Sequence, residues 1–432
     1  TPGFKQALYE SVLSRNLPCE SVTAGLQFSI PATAQETRRA AATLGACLHE
    51  LRILHPERFL SRRPQGSNVP GDASGLSLPL SSELMKRVVS DDFMPDDKKP
   101  PVLDLFRSSG PYLASVEPDP LVLFDAASQI ASHAGGVNGS TSLEALYSGR
   151  FGDFPIRNTL GSDRANQVIQ ELTAMLSNAA GDELNHVALC NSGAEANEVA
   201  LRIASQRRPG RKRILSFEGA FHGRTMWALH STWNPSKRLR FELEGFQANW
   251  VKWPKWDGAT PVLNDSHEVH SEYFKPLGIA HRRLSESADD LEKREFESLL
   301  AVEEALATDE IVAILVECMQ SEGGDRWATE RFFCRLRALA LAYDVPFIVD
   351  EVQTGFRLGG PFFWHRMYRL PASPDLVSSA KKCQVGAVIS RWPINFPVEV
   401  NLTSVVRGLA QAEMVSEREA KDYETRMKAK LE

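Results

Sequence analysis

Beyond about residue 160 the sequence alternates between short apolar runs and longer segments of helical periodicity, and this alternation restricts the possible folds more than any other feature. Strands that alternate with helices form βαβ units, in which the strands run parallel and helices cover both faces of the sheet. The sequence therefore predicts an α/β fold whose large domain is built on a mostly parallel sheet. The clearest predicted strands are 186–189, 214–217, 312–316 and 345–349, and the clearest predicted helices are 194–205 and 330–343.

Changes in composition divide the chain into four predicted segments: 1–77, an N-terminal accessory segment and linker; 78–150, the N-terminal part of the fold; 151–395, the large domain; and 396–432, the start of a truncated C-terminal region. In the first segment, Thr33 and Glu36 have the spacing of a capping box and predict a helix at 33–51. A stretch rich in Gly, Pro, Ser and Asn at 64–77 predicts a linker. Residues 250–310 are polar and irregular, which predicts a long surface excursion.

Composition narrows the class of protein. The chain has 432 residues, of which 43% are hydrophobic and 24% charged, and its net charge is −6, which argues against a nucleic-acid partner or an anionic membrane surface. We find no apolar run long enough to span a bilayer and no secretory signal. The six cysteines are scattered without C-x-x-C spacing, which favours reduced thiols over a zinc site. We therefore expect a cytoplasmic location, no membrane contact and no metal.

Two polar groups are predicted at the carboxyl ends of strands, where open α/β sheets bind ligands. Asp350 ends the run 345–349, and Lys381 closes a second short run at 375–379. A lysine there can form a Schiff base with the aldehyde of pyridoxal phosphate, and an aspartate can hold the pyridine nitrogen protonated so that the ring accepts electrons. Taken alone, Asp350 is better explained as a helix cap and Lys381 as a solvated charge. The interpretation therefore depends on other parts of the same site.

One such part is the segment 191–198, which joins a predicted strand to a predicted helix. Gly193 permits a tight turn, and the free N–H groups at the start of the helix can hold a phosphate with the help of the helix dipole. The alternative is an ordinary helix capped by Ser192, which is the favoured interpretation when the turn is considered alone.

Three further side chains follow predicted strands. Phe221 can stack on a planar cofactor, and Arg224 can make a two-pronged contact with a substrate carboxylate. In isolation, Phe221 is more often a core residue and Arg224 a surface ion-pair partner. Glu317 ends the strand at 312–316, so we expect its buried carboxylate to meet an arginine or a hydroxyl. A structural ion pair and a role in substrate gating remain equally good explanations of Glu317.

The combination of these motifs resembles the class III pyridoxal-phosphate aminotransferases over residues 81–389. Within that family it is most similar to the 4-aminobutyrate aminotransferases, with the L-lysine 6-aminotransferases second. The resemblance implies fold type I, pyridoxal 5'-phosphate as cofactor, and a homodimer. The matching pieces, which are specific in this order and spacing, are 82–86, 128–130, 192–196, 219–226, 320–325, 350–355 and 381–386.

The resemblance also implies roles around the cofactor ring. Lys381 is the implied Schiff-base lysine and the group that moves a proton between substrate and cofactor. Asp350 is implied to hold the pyridine nitrogen, and Gln353 to lie near the ring hydroxyl. Phe221 is implied to cover one face of the ring, with His222 beside it.

Other implied roles concern the phosphate and the substrate. The backbone of Gly193 and Ala194 is implied to hold the phosphate, and Arg224 to bind the distal carboxylate of an ω-amino acid. Glu317 is the implied gate, which pairs with an arginine when substrates with one carboxylate are bound. Thr403 lies on the remnant of the loop that reaches the neighbouring subunit's phosphate in this family.

The sequence also departs from the family's pattern. The C-terminal domain that carries the gate arginine is expected to be missing. Ala194 replaces a hydroxyl residue and Cys318 replaces a proline. Ser192 and Glu195 stand where the animal 4-aminobutyrate enzymes have cluster-binding cysteines, so no iron–sulfur cluster is expected.

Several functions are compatible with this pattern. The first is transfer of an amino group from an ω-amino acid such as 4-aminobutyrate to 2-oxoglutarate by a ping-pong route. A lysine 6-aminotransferase and a pyridoxal-phosphate aminomutase are alternatives that keep the cofactor. A truncated homologue that is catalytically silent and acts only by dimerising is the non-enzymatic alternative.

Overall fold

The structure is a computed structural model, and it describes residues 10, 19–22, 25–28, 79–88, 102–126, 128–138, 163–241, 248–256, 289–358 and 360–415. The chain divides into two compact units, 1–153 and 154–432. The predicted helix at 33–51 and the predicted linker at 64–77 lie outside the described residues. The four-segment division of the chain stays a prediction.

The described residues of the first unit include short strands and a helix at Pro79–Val88. A two-stranded antiparallel pair and a three-stranded antiparallel sheet are described in it. Glu117 ties the helix to the sheet, because its buried carboxylate accepts hydrogen bonds from the backbone N–H groups of Leu80 and Ser81. The elements are β1 (Cys19–Val22), β2 (Gly25–Phe28), α1 (Pro79–Val88), β3 (Leu103–Ser109), β4 (Tyr112–Ser115), β5 (Val122–Phe124) and a left-handed turn at Ser128–Ala131.

The second unit alternates between helices and strands, as predicted. Each strand and helix predicted in this unit is found in the structure, and its observed ends lie within a few residues of the predicted ends. The elements are α2 (Asp163–Ala180), β6 (His186–Cys190), α3 (Gly193–Arg207), β7 (Arg213–Phe217), α4 (Met226–His230), α5 (Pro235–Arg238), β8 (Ala248–Val251), α6 (Asp290–Ala307), β9 (Ile311–Glu317), β10 (Met319–Gln320), β11 (Arg326–Trp327), α7 (Glu330–Ala342), β12 (Phe347–Asp350), β13 (Leu376–Ser379), β14 (Gly386–Ser390) and α8 (Leu402–Met414). Short 3-10 helices lie at Leu239–Phe241, Trp364–Met367 and Lys381–Cys383.

Seven of these strands form one sheet in the order β6-β14-β13-β12-β9-β7-β8. The pairs among β13, β12, β9, β7 and β8 are parallel. Strand β14 is antiparallel to both of its neighbours, β13 and β6. The prediction of a mostly parallel sheet is therefore confirmed. The β10–β11 pair is a separate small antiparallel ribbon.

Helices cover both faces of the large sheet. Successive residues of a strand point to opposite faces, so apolar strand residues need a packing partner on each side. On one face Ile314 and Val349 pack in a cluster with Val302 of α6 and Phe332 of α7. On the other face Leu315, Ile348 and Val388 pack against the buried side of α3. Every residue of β9 is buried, as expected for a central strand of a sheet covered on both faces.

The predicted surface excursion at 250–310 was wrong for its last part. Asp290–Ala307 is a helix, and Asp289 and Glu292 form a capping box at its start. Leu299, Val302 and Leu306 recur at helical spacing and are buried against the sheet. The many charged residues between them belong to the solvent face, and they hid the periodicity in the sequence. Residues 257–288 lie outside the described part of the chain.

No helix in the described ranges is both long enough and apolar enough to cross a membrane. The described residues likewise contain no group of three or more His, Cys, Asp or Glu side chains arranged to hold a metal ion.

A buried ion pair joins α7 to the start of β13 and gives a test of this packing. The guanidinium of Arg337, 1% exposed, donates to both carboxylate oxygens of Asp375 over 2.8 and 3.1 Å. The same carboxylate accepts from the backbone N–H of Phe347. We expect Asp375→Ala to lower the free energy of unfolding of this unit by about 3–5 kcal/mol, because it leaves a buried charge without its partner. Urea denaturation measures the change.

The matched control is Asp290→Ala on α6, whose carboxylate is 89% exposed and pairs with Lys293. An exposed pair of this kind contributes under about 1 kcal/mol. Equal losses in the two variants would contradict the assignment of the Arg337–Asp375 pair as a core interaction.

Candidate functional site

The carboxyl ends of three neighbouring strands bring together the polar residues that the sequence predicts. In the parallel register Asp350 of β12 lies opposite Glu317 of β9 on one side and opposite Ser378 of β13 on the other. Lys381 begins the 3-10 helix that follows β13. The predicted position of Asp350, Lys381 and Glu317 at this edge of the sheet is therefore found in the structure.

Asp350 is 4% exposed, and several donors compensate its buried carboxylate. Its Oδ2 accepts from the side-chain amide of Asn197 over 2.7 Å and lies 2.8 Å from Nδ1 of His222. Its Oδ1 accepts from the backbone N–H of Val352 over 3.0 Å. The interpretation of Asp350 as a helix cap does not fit these contacts, since two of the donors come from elements distant in sequence.

The hydrogen bonds of His222 fix the position of its imidazole beside Asp350. The carbonyl of Ser231 can only accept, so the hydroxyl of Ser216 donates to it over 3.1 Å. The same hydroxyl oxygen then accepts from Nε2 of His222 over 3.1 Å. Nδ1 of the same ring lies 2.8 Å from Oδ2 of Asp350, so the imidazole lies behind that carboxylate. The position of His222 beside a cofactor ring stays a prediction.

Lys381 is half-buried among carboxylates. Burial lowers the pKa of its amine, and the negative charges of Asp350, Glu317 and Glu322 act in the opposite direction. Its backbone φ is +35°, a conformation in which a side chain is strained. Such strain is held in place by the surrounding structure and is common at functional sites.

Glu317 is buried, and burial raises the pKa of its carboxyl well above the usual range, with the charge of Asp350 acting in the same direction. Its carboxylate accepts hydrogen bonds from the backbone N–H groups of Phe221, over 3.0 Å, and Ser321. The predicted arginine or hydroxyl partner was therefore wrong for the described residues. Backbone donors satisfy a buried carboxyl group without bringing a charge, and a sequence pattern does not reveal them.

The turn before α3 has the geometry of a phosphate cradle and of a helix cap at once. Ser192 caps the helix, because its hydroxyl accepts from the backbone N–H of Glu195 over 3.2 Å. Gly193 and Ala194 occupy the first two helical positions, whose N–H groups have no acceptor within a helix. A Cβ on Gly193 would lie 2.7 Å from Cγ1 of Val352, so only glycine allows this close approach to the turn after Asp350.

Phe221 and Arg224 have different surroundings. Phe221 is partly buried, and the ammonium of Lys237 lies 4.7 Å from its ring centre. Lys237 also forms an ion pair with Glu322. Arg224 is exposed, and its guanidinium makes neither a hydrogen bond nor an ion pair with any described residue. The surface ion pair considered for Arg224 is thus not formed within the described part of the chain.

Gln353 and Thr403 complete the predicted set. The side-chain Oε1 of Gln353 is buried and has no hydrogen-bond partner in the structure. Thr403 is exposed in the first turn of α8, where its N–H donates to the side chain of Asn401 over 3.0 Å. The N–H of Asn401 donates in turn to Asn191, at the end of β6. These contacts link Thr403 to the turn before α3 and not to Asp350 or Lys381.

Sequence reasoning missed the residues that hold the Asp350–His222 pair. Asn197 is 1% exposed, and its amide nitrogen donates to Asp350 and to the carbonyl of His222, while its oxygen accepts from Ser378. Thr232 accepts from the backbone N–H of His222. One signal was available for Asn197, because it interrupts the apolar face of a predicted helix.

These residues fit pyridoxal 5'-phosphate, the group that the family resemblance implies. A pyridinium nitrogen needs a buried carboxylate, which Asp350 supplies, and the phosphate needs free N–H groups, which Gly193 and Ala194 supply. The unpartnered Oε1 of Gln353 is an acceptor that a ring hydroxyl can satisfy. The half-buried amine of Lys381 is the group that can bond to the aldehyde.

Comparison with known proteins agrees with this geometry. A sequence model of the family "Aminotransferase class-III" matches residues 93–395. The chain is 33% identical to an acetylornithine aminotransferase of Methanopyrus kandleri, over 52% of this chain and 47% of that protein. It is 31% identical to a 4-aminobutyrate aminotransferase of Schizosaccharomyces pombe, over 66% of this chain and 61% of that protein. The chain thus spans about half to three fifths of the length of these relatives.

Solved structures share the fold. The chain superposes on lysine aminotransferase from M. tuberculosis with a TM-score of 0.61 at 24% identity, covering 79% of this chain and 77% of that one. It superposes on taurine:2-oxoglutarate aminotransferase from Bifidobacterium kashiwanohense, solved with PLP and glutamate, with a TM-score of 0.63 at 19% identity, covering 83% and 77%. At these identities the likeness establishes fold type I, and together with the family match over 93–395 it shows that the chain belongs to the class III aminotransferases.

Proposed function

We propose that this protein uses pyridoxal 5'-phosphate to transfer an amino group from an ω-amino acid, with 4-aminobutyrate as the type, to 2-oxoglutarate. The observation that carries the proposal is the junction of Asp350 and Lys381 at the ends of adjacent parallel strands, with the carboxylate held by His222 and Asn197. The relatives that match over half of the chain or more are aminotransferases, which supports the same reaction class.

The cofactor, when bound, supplies an electron-accepting ring that stabilises negative charge on the substrate carbon next to nitrogen. Asp350 would supply the carboxylate that pairs with the ring nitrogen, and the contact with Nδ1 of His222 holds that carboxylate in place. Gly193 and Ala194 would anchor the phosphate through backbone N–H groups, and Phe221 would supply an aromatic ring to stack on the cofactor.

Lys381 has two roles in this proposal. Its neutral amine would hold the aldehyde of the cofactor, and the same amine would move a proton at the substrate carbon. Burial lowers the pKa of this amine, which favours the neutral form that both roles require. The carboxylates of Asp350, Glu317 and Glu322 hold the proton more firmly, so the balance of burial and charge sets the working pH.

The choice of an ω-amino acid depends on Arg224 and Glu317. Arg224 is exposed and has no partner among the described residues, so its guanidinium is available to a substrate carboxylate. Glu317, whose pKa is raised by burial, can lose or gain a proton as the charge of the bound substrate changes. 4-Aminobutyrate and N-acetylornithine, the donors that the names of two relatives imply, both carry a terminal amine and a distal carboxylate.

Lysine is the second candidate donor, because a solved lysine aminotransferase shares the fold and its substrate also carries a terminal amine. An aminomutase would use the same cofactor residues, and a silent homologue would keep the fold without turnover. We further propose a homodimer in the cytoplasm, in which Thr403 approaches the phosphate of the partner subunit.

The first prediction concerns the lysine that bonds to the cofactor. Borohydride reduction of protein loaded with pyridoxal 5'-phosphate, followed by peptide mapping, should place the pyridoxyl label on Lys381. Lys382 is the matched control, because it is adjacent, 6% exposed and bonded to the carbonyl of Gln353. A label on Lys382, or on neither lysine, refutes the assignment and with it the proposed cofactor chemistry.

The second prediction concerns Asp350. Asp350→Asn should retain part of the cofactor binding and slow the amino-transfer half-reaction by about a hundredfold or more, because a neutral amide cannot hold the ring nitrogen protonated. Stopped-flow absorbance with a single addition of amino donor measures the half-reaction. A half-reaction within a few-fold of the wild-type rate would show that Asp350 has only a structural role.

The third prediction concerns the substrate. Arg224→Lys should lower kcat/KM about thirtyfold or more for an ω-amino acid, since loss of a two-pronged charged contact costs about 2 kcal/mol or more. It should change kcat/KM for a plain alkyl amine much less. Arg294→Lys, an exposed arginine on α6, is the control and should affect neither donor. Equal losses for both donors in Arg224→Lys would make Arg224 a structural residue.

A further inference from the structure

Lys382 is a buried lysine directly beside the residue proposed to bond to the cofactor. Its side chain is 6% exposed, and its ammonium donates to the backbone carbonyl of Gln353 over 2.6 Å. Gln353 belongs to the turn that follows Asp350, whereas Lys382 belongs to the 3-10 helix that begins with Lys381. A single hydrogen bond therefore ties together the two turns that carry the reactive groups.

Lys381 and Lys382 have different charged neighbours. Lys382 faces Lys381 on its own turn and Glu351 on the turn after β12. Lys381 faces three carboxylates, Asp350 on β12, Glu317 on β9 and Glu322 beyond β10. The pKa of Lys382 is lowered to about 8, chiefly by burial and then by the charge of the neighbouring Lys381, while the charge of Glu351 acts in the opposite direction. At pH 7 Lys382 is therefore mostly protonated.

Glu351 is occupied by other donors and is not a free counter-ion for Lys382. It is fully buried, and its carboxylate accepts from the hydroxyl of Thr354 and from the backbone N–H groups of Trp364 and His365. The carboxylate also lies 2.8 Å from Nδ1 of the His365 ring. The positive charge of Lys382 is thus only partly compensated on that side, and its other charged neighbour is Lys381.

We propose that Lys382 is a positioning residue for Lys381: it fixes the Lys381 turn against the Gln353 turn, and its ammonium opposes the three carboxylates that would otherwise hold a proton on the Lys381 amine. The inference rests on the proposed function, because it assigns Lys382 a role in preparing Lys381 for the cofactor. The repulsion between two ammonium groups is mutual, so a charge on Lys382 favours the neutral form of Lys381.

The neutral form matters because only an amine with a lone pair can bond to an aldehyde. The nitrogen of Lys381 attacks the aldehyde carbon, a C=N bond replaces the C=O bond, and the oxygen leaves as water with the two amine hydrogens. No electron is gained or lost overall. The rate of this capture therefore follows the fraction of Lys381 that is unprotonated.

The fraction of Lys381 that is unprotonated also gives the direction in which the capture rate should change when Lys382 is replaced. Removing the charge of Lys382 raises the affinity of Lys381 for its proton, so a higher pH is needed for the same capture rate. Two like charges in partly buried positions change each other's pKa by about one unit, which corresponds to an about tenfold slower capture at pH 7. Above the pH at which Lys382 itself loses its proton, the rates of wild type and variant should converge.

The experiment measures capture of pyridoxal 5'-phosphate by the full-length chain freed of cofactor, from pH 6.5 to pH 9.5. The readouts are growth of the visible absorption band and the amount of borohydride-fixed label on Lys381. Lys382→Met should capture about tenfold more slowly at pH 7, with its pH profile moved to higher pH. Lys382→Arg, which keeps the charge, should restore the wild-type profile. Lys293→Met on α6, whose side chain is 54% exposed, is the control for loss of a lysine.

A wild-type profile in Lys382→Met, or one slowed by the same factor at every pH, overturns the proposal. If Lys382→Met does not fold, Lys382→Gln keeps a hydrogen-bond donor without the charge, and the same shift is expected of it. Loss of folding in both variants would make Lys382 a purely structural residue and also overturn the proposal. Absence of capture by the wild-type protein is a different result, because it contradicts the proposed function itself.

Discussion

Two successive carboxylates at the end of β12 are buried on opposite sides of the sheet, and the rest of the site depends on how each is compensated. Asp350 is 4% exposed and lies against His222 and Asn197, whereas Glu351 is fully buried and lies against His365. A buried carboxylate without partners is costly, and breaking such a pair typically costs about 3–5 kcal/mol. The two histidines therefore fix the end of the strand from both faces.

The register of β12 decides which carboxylate faces the proposed cofactor. Phe347 and Val349 pack on the face covered by α6 and α7, and Ile348 packs on the face covered by α3. Asp350 continues the face of Ile348, which brings it to Asn197 on α3. A slip of one residue would exchange Asp350 and Glu351 and move the apolar residues to the wrong layers. Packing of the core thus specifies the position of the carboxylate for which we propose a catalytic role.

Much of this arrangement could be predicted, because strands, helices and strand-end groups follow from local sequence patterns. The alternation of elements predicted the sheet, and the positions of Asp350 and Lys381 predicted where the reactive groups meet. The partners of buried groups could not be predicted, since they come from distant segments or from the backbone. Asn197 and the N–H of Phe221 are examples, and the helix at 290–307 was missed because charge on its outer face concealed its buried stripe.

The strand order has a consequence for synthesis of the chain on the ribosome. Among the described strands of the large sheet β6 is the first to be made, and its pairing partner among them is β14, which is the last. At about 5–20 residues per second, the roughly two hundred residues between them take about 10–40 seconds to appear. During that interval His186–Cys190 has no strand to pair with, while β7 and β9 can already join. The nascent chain must therefore keep an apolar strand from aggregating until its antiparallel partner emerges.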